Sequence, residues 1–91
     1  MELKWSGKAV SDLSRLHAFL SPVNPRAAAA LVRSLVAAPE RLLVHPRLGE
    51  KLDEFEPREV RRILVGNYEM RYEIQGDIVH VLRLWHARED R

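Results

Sequence analysis

Apolar residues recur with two different periods along this chain, and the change of period divides it into a helical half and a sheet half. Glu2-Leu3-Lys4-Trp5 alternates polar and apolar positions and predicts a short first strand. Ser6 then offers a capping oxygen to a helix over residues 8–20. Its apolar positions Ala9, Leu13, Leu16 and Leu20 recur at spacings of three and four, with Val10 and Phe19 widening the stripe. Ser21-Pro22 ends that helix, because proline disfavours the helical conformation in the residue before it. Asn24-Pro25 restarts one at once, with Asn as cap and Pro in the first turn, where its missing N–H is harmless. The alanine run 27–30 has the strongest helix propensity in the chain, and Ala28, Leu31, Leu35 and Ala38 share one face. The short link predicts an antiparallel helical hairpin. Proline at 39 predicts a break just before it and a short final turn over residues 40–44.

Residues 45–49 read as loop, and residues 50–57 as irregular chain anchored by Leu52 and Phe55. From there the period becomes two. Residues 59–65 are mostly β-branched or apolar, with Arg61 and Arg62 on opposite faces. Gly66-Asn67 fits a two-residue turn. Tyr68, Met70, Tyr72 and Ile74 alternate with Glu69, Arg71 and Glu73, as in a half-buried antiparallel strand. After a second turn at Gln75-Gly76-Asp77, residues 78–85 are nearly all apolar and predict a central strand. The order is β-α-α-β-β-β. The expected fold is α+β, an antiparallel sheet with an N-terminal helical hairpin on one face.

Ninety-one residues suit one domain, 1–91, with a core too small for a large substrate cavity. Apolar residues are 46% and charged residues 31%, the balance of an ordinary globular protein. The absence of cysteine excludes disulfides and thiolate metal sites and fits a reducing compartment. No apolar run reaches the length of a membrane span, and the first residues carry no apolar signal core, so a cytoplasmic protein is expected. The net charge of +2 gives no field strong enough to drive nucleic-acid binding by itself.

Candidate chemistry gathers in the sheet half. Arg61, Arg62, Arg71, Arg83 and Arg88 can grip phosphate, or they can pair with Glu59, Glu69, Glu73 and Glu89 as a solvated face. His80 and His86 are six apart, hence on one side of a regular strand. His80 reads as a packed residue, and His86, beside Trp85 at a strand end, as the better acid–base candidate. Tyr68 and Tyr72 fit core packing, with base stacking as the sharper alternative. No spacing reads as a metal site, and no cofactor motif or phosphate-binding glycine loop is visible.

The element order resembles the RelE/ParE superfamily of toxins from type II toxin–antitoxin modules. So do Ala9-x-x-Asp12-Leu13, Asn24-Pro25, the Leu42…Pro46…Gly49 connection, Val60-Arg61-Arg62, the strand from Tyr68 to Ile74, and the ending His86-x-Arg88-x-Asp90. The resemblance implies one of two activities: cleavage of mRNA on the ribosome, or poisoning of DNA gyrase. Glu69 stands where RelE-like nucleases commonly carry an arginine, and Lys51 is all that remains of their lysine-rich stretch. They also tend to carry a tyrosine near the C-terminus, absent here, whereas the ending is similar to ParE-like members. The resemblance therefore leans to ParE. For a ribonuclease it implies Arg61, Arg62, His86 and Arg88 as catalytic groups, with Arg holding the phosphate and His86 as acid or base. For a gyrase poison it implies Arg71, Trp85, His86 and Arg88 as target contacts. Either way it implies a ParD- or RelB-like antitoxin wrapped on Leu16, Phe19, Leu20 and Leu31, and operator DNA reached only through that antitoxin.

Overall fold

The computed structural model describes residues 1–89 and is an α+β fold built on one five-stranded sheet. Strand β1 (Glu2–Trp5) leads into helix α1 (Gly7–Leu20), and α2 (Pro25–Ala37) follows as the second arm of the hairpin. Ser6 Oγ accepts the Ala9 N–H at 3.0 Å, and Asn24 Oδ1 accepts the Ala27 N–H at 3.0 Å, so both helices carry side-chain N-caps. Pro39 ends the α-helical hydrogen bonding, and the chain tightens into a 3₁₀ segment, Ala38–Leu43. Strands β2 (Glu50–Lys51), β3 (Glu59–Val65), β4 (Tyr68–Gln75) and β5 (Ile78–His86) complete the sheet in the order β1-β5-β4-β3-β2.

Strands β2 to β5 pair antiparallel with their neighbours, but β1 lies parallel to β5, with Trp5 opposite Val81. The sheet is therefore mixed, not wholly antiparallel. The reason is the helical hairpin: two helices return the chain to its starting end, and the last strand then runs beside the first in the same direction. The short strand β2, within the stretch expected to be irregular, adds a fifth member at the far edge.

Gly66 and Gly76 have φ of +60° and +58°, while Asn67 and Asp77 stay at negative φ. Two-residue turns with only the first residue at positive φ match the right-handed twist of hairpin strands. Such turns place Tyr68 opposite Val65, and Gln75 opposite Ile78.

One face of the sheet meets the helices. Ala9, Leu16 and Leu35 pack with Ile63, Met70, Tyr72, Ile74, Val79, Val81 and Leu84, and Leu42 closes the end. Val10 and Phe19, expected to widen the buried stripe of α1, are exposed instead, Phe19 at 85%. The α1 position that is buried in their place is a charged one, Asp12.

Tyr72 ties the loop before β2 to the core. Its hydroxyl donates to the Pro46 carbonyl at 2.7 Å and accepts the Gly49 N–H at 3.0 Å. Arg61 Nη1 donates to the Gly49 carbonyl at 2.8 Å. A Cβ on Gly49 would lie 2.5 Å from the Arg62 carbonyl and 2.8 Å from the Tyr72 hydroxyl. Gly49→Ala therefore forces backbone against a buried ring, and should lower unfolding free energy by about 1–3 kcal/mol in urea titration. Gly7→Ala, where an added methyl meets nothing within 4 Å, is the control and should be close to neutral. Equal midpoints for the two variants would show that the loop yields freely.

Candidate functional site

Strand β5 carries one extra residue. Arg71 pairs with Arg83, but the next β4 residue, Tyr72, pairs with Val81, so Leu82 forms a bulge. A bulge reverses the side-chain alternation beyond it. His86 and Leu84 consequently share the helix-facing side with Tyr68 and Met70, whereas His80 lies across from Glu73 on the outer side. The two histidines expected on one side are on opposite sides.

The bulge also sets how β5 meets α1. Strand β1 ends at Trp5, leaving the edge of β5 beyond Val81 without a neighbouring strand. Side chains take over. The Ser6 N–H donates to the Val81 carbonyl at 2.9 Å, and Ser6 Oγ donates to the Leu82 carbonyl at 2.8 Å. Asp12 Oδ2 accepts the Leu84 N–H at 2.8 Å, and Arg15 Nη2 donates to the Leu84 carbonyl at 3.1 Å. Asp12 also receives Arg83 Nε at 2.8 Å and Arg15 Nη2 at 3.2 Å. Burial alone pushes the Asp12 carboxyl up, but the bonds from Arg83, the Leu84 N–H and Arg15 together bring it below its ordinary value.

Arg15 continues the network to the C-terminal turn by pairing with Glu89 Oε2, while Glu89 Oε1 accepts the His86 N–H at 2.9 Å. Burial pushes the Glu89 carboxyl up as well, and Arg15 and the His86 N–H outweigh it. His86 Nδ1 accepts the Arg88 N–H at 3.1 Å, and the imidazole meets the Tyr68 ring edge-on at a centroid distance of 5.0 Å. Between this turn and the end of α1 lies a cleft of about 500 Å³. Arg15, Leu16, Phe19 and Leu20 line one wall; Tyr68, His86, Arg88 and Glu89 line the other. A hollow of about 540 Å³ beside residues 44–48 brings none of the expected site residues together.

The outer face of the sheet is a second surface. Arg62, Arg71 and Arg83 stand opposite one another across β3, β4 and β5. The Arg71 guanidinium sits 4.7 Å from the centroid of Trp85 and 5.2 Å from that of Phe55, and Arg83 lies 5.1 Å from Trp85. Trp85 is buried beneath these guanidinium groups. Arg62 bonds Glu50 at 2.6 Å and Glu69 at 3.3 Å; Arg71 bonds Glu69 at 3.4 Å. Arg58 clasps Glu73 through two bonds at 2.8 and 3.1 Å, which holds the Glu73 carboxyl below its usual range against its burial. Glu69 and Glu73, expected on a solvent face, are buried under this arginine layer, so β4 is covered on both sides.

The sequence-expected residues thus divide three ways. His86 and Arg88 join Leu16, Phe19 and Leu20 in the cleft. Leu31 packs against the core from α2 and does not line the cleft. Arg71 and Trp85 lie on the outer face with Arg62. Arg61 faces the helix side, tied to Glu59 at 2.9 Å and to the Gly49 carbonyl, four residues along β3 from Val65, which pairs with the His86 partner Tyr68. That is about 13 Å along the strand. Asp90 lies outside the described residues. Asp12 and Arg15 were not expected as site residues; Asp12 carries a sequence signal, a lone carboxylate amid the apolar face of an amphipathic helix. No cluster of three or more metal-ligating side chains occurs among the described residues, and no described helix is long and apolar enough to cross a membrane.

Asp12, Glu59, Glu73 and Glu89 all have folded-state values below the ordinary carboxylate range. Their contribution is complete above the unfolded values, about 3.9 for Asp and about 4.3 for Glu, and is lost as pH falls through the lower folded values. Urea midpoints should therefore drop steeply below about pH 4. Asp12→Asn should be less stable at neutral pH, by about 3 kcal/mol where Arg83 loses its buried partner, and should show a shallower acid decline. An unchanged acid profile would remove Asp12 as the anchor.

Residues 3–91 match the family model described as the ParE toxin of the type II toxin–antitoxin system parDE. Toxin RelE1 of Caulobacter vibrioides is 39% identical over 88 residues, covering 94% of this chain and 92% of that protein. Toxin RelE2 of the same organism is 28% identical over 86 residues, covering 94% of each. A chain of the chromosomal ParDE toxin–antitoxin system from P. aeruginosa shares the fold, with a TM-score of 0.79 at 22% identity, covering 94% of this chain and 95% of that one.

Proposed function

This chain belongs to the ParE toxin family of type II toxin–antitoxin systems, and we propose that it arrests growth by poisoning DNA gyrase and is held inactive by a cognate antitoxin. The observation that carries the choice of target is the dispersal of the groups a ribonuclease centre would need. A phosphate clamp and a general acid or base must reach one scissile phosphate together. Arg61 and Arg62 project from opposite faces of β3, and His86 and Arg88 lie at the far end of the helix-facing side. The arrangement suits a protein that binds its target better than one that cuts RNA.

On this reading the outer face meets the target, with Arg71 and Arg83, 4.7 and 5.1 Å from the Trp85 ring centroid, as contact groups. The antitoxin lies along α1 and fills the cleft, covering Phe19 and Leu20. A restraining segment that folds on docking suits an apolar patch left open on a small toxin. The module works in the cytoplasm, and the chain reaches operator DNA only through its antitoxin. One feature favours a second reading, mRNA cleavage on the ribosome. The cross-strand row Arg62, Arg71 and Arg83 presents guanidinium groups of the type that hold phosphate.

Purified, antitoxin-free protein should abolish supercoiling by gyrase and trap cleaved DNA while leaving mRNA on programmed ribosomes intact. Cut mRNA with unaffected gyrase would replace the first reading by the second. Phe19→Asp tests the restraint separately. The residue is 85% exposed, so the fold and the toxicity should survive. Co-expressed antitoxin should then fail to rescue growth, and full rescue would place the antitoxin elsewhere.

A further inference from the structure

The cleft combines an apolar wall with hydrogen-bonding groups that have no partner among the described residues. Leu16, Phe19 and Leu20 supply the apolar side. On the other side, His86 uses Nδ1 to accept the Arg88 N–H. The neutral ring therefore carries its proton on Nε2, which is left as a donor. Tyr68, whose ring packs against the imidazole, and the exposed Arg88 line the same cleft. Among the described residues the acid of the cleft is Glu89, and it is already committed, one oxygen to Arg15 and the other to the His86 N–H. Among the described residues this leaves a positive charge, an N–H donor and a hydroxyl next to an apolar wall. Charge complementarity selects an anion, and the apolar wall selects a chain that carries a large aliphatic or aromatic side chain close to that anion.

We infer that the cleft recognises one Asp or Glu of the antitoxin together with a neighbouring apolar side chain. The carboxylate lies between Arg88 and His86 Nε2–H, within reach of the Tyr68 hydroxyl, and the apolar side chain lies against Leu16, Phe19 and Leu20. This rests on the reading of the chain as a toxin restrained by an antitoxin. It places His86 and Arg88 in that restraint and not in chemistry on RNA. The apolar contact supplies most of the holding. The carboxylate fixes the register, because a segment slipped by one residue puts its charge over leucine.

The test uses the intact chain and the full-length antitoxin encoded beside it, with each Asp and Glu of the antitoxin's toxin-binding region changed singly to Asn or Gln. Affinities are measured by calorimetry against the native chain, Arg88→Ala and His86→Phe. The last keeps an aromatic ring against Tyr68, and Arg88 is exposed, so neither change threatens the fold. One neutralisation should weaken binding to the native chain by about tenfold or more, the range of a charge-assisted hydrogen bond. The same neutralisation should weaken binding to Arg88→Ala and to His86→Phe by clearly less than to the native chain, since in each variant one of its partners is already gone. Equal losses against the native and variant chains for every carboxylate, in a complex that still forms, would overturn the inference and leave the antitoxin reading standing. No binding of the antitoxin to the native chain would overturn both.

Discussion

The buried carboxylate of Asp12 holds the two halves of this protein together. A five-stranded sheet whose N-terminal strand stops at Trp5 leaves backbone donors and acceptors of β5 facing the hairpin. An unpaired buried N–H costs about as much as a lost hydrogen bond, so the edge must be satisfied or wet. Ser6, Asp12 and Arg15 satisfy it with side chains spaced along the start of α1, binding Leu82 and Leu84 where a strand would otherwise do so. The carboxylate's own burial is offset by two arginines. Removing Asp12 leaves Arg83 without its acid, and removing Arg83 leaves the buried carboxylate with Arg15. Arg15 passes the restraint on to Glu89 and so to the backbone of His86, which β4 also holds through its pairing with Tyr68.

Much of this was legible from the sequence, for reasons that can be named. Helix starts were clear because Ser6 and Asn24 are capping residues followed by periodic apolar positions, and both side chains do cap. The hairpin turns were clear because glycine precedes a polar residue between two strand-like runs. What the periodicity could not show was long-range. The parallel pairing of β1 with β5 joins residues 76 positions apart and leaves no local mark. Phe19 fits the apolar stripe by spacing alone, but near the end of α1 it stands exposed on the wall of the cleft. The arginines read equally well as phosphate grips or as ion pairs. The structure pairs Arg61 with Glu59, Arg62 and Arg71 with the buried Glu69, and Arg83 with Asp12, while the buried Glu73 goes to Arg58.

The placement of His86 shows most plainly how one irregular residue decides which side chains share a surface. With a regular β5, His86 and His80 would share a side, and Trp85 would face the helices. The extra residue at Leu82 exchanges them: Trp85 goes beneath the outer arginines, and His86 goes to the cleft beside Tyr68. Bulges carry no reliable sequence signature in an apolar strand, so the exchange could not be read from alternation. Its energetic sense is plain, however. The bulge lies where β1 stops and the Ser6 side chain takes over, so the Leu82 carbonyl finds its donor in a hydroxyl rather than in a strand.

The two surfaces that result differ in what they can bind. The outer face has high charge density but little free charge, since each arginine of the row answers to a buried or half-buried acid. A partner there must compete with those acids or accept guanidinium groups already oriented and stacked on an aromatic floor, which favours a large, rigid surface that makes many modest contacts. The cleft has the opposite character, with little charge but an apolar wall and donors left open. It suits a short flexible segment that brings its own anion and gains order on docking. On the proposed reading, a toxin that must meet a massive target and yet be silenced by a small partner needs both kinds of surface. Here they lie back to back on one strand pair, and the alternation of β4 and β5 assigns each side chain to one or the other.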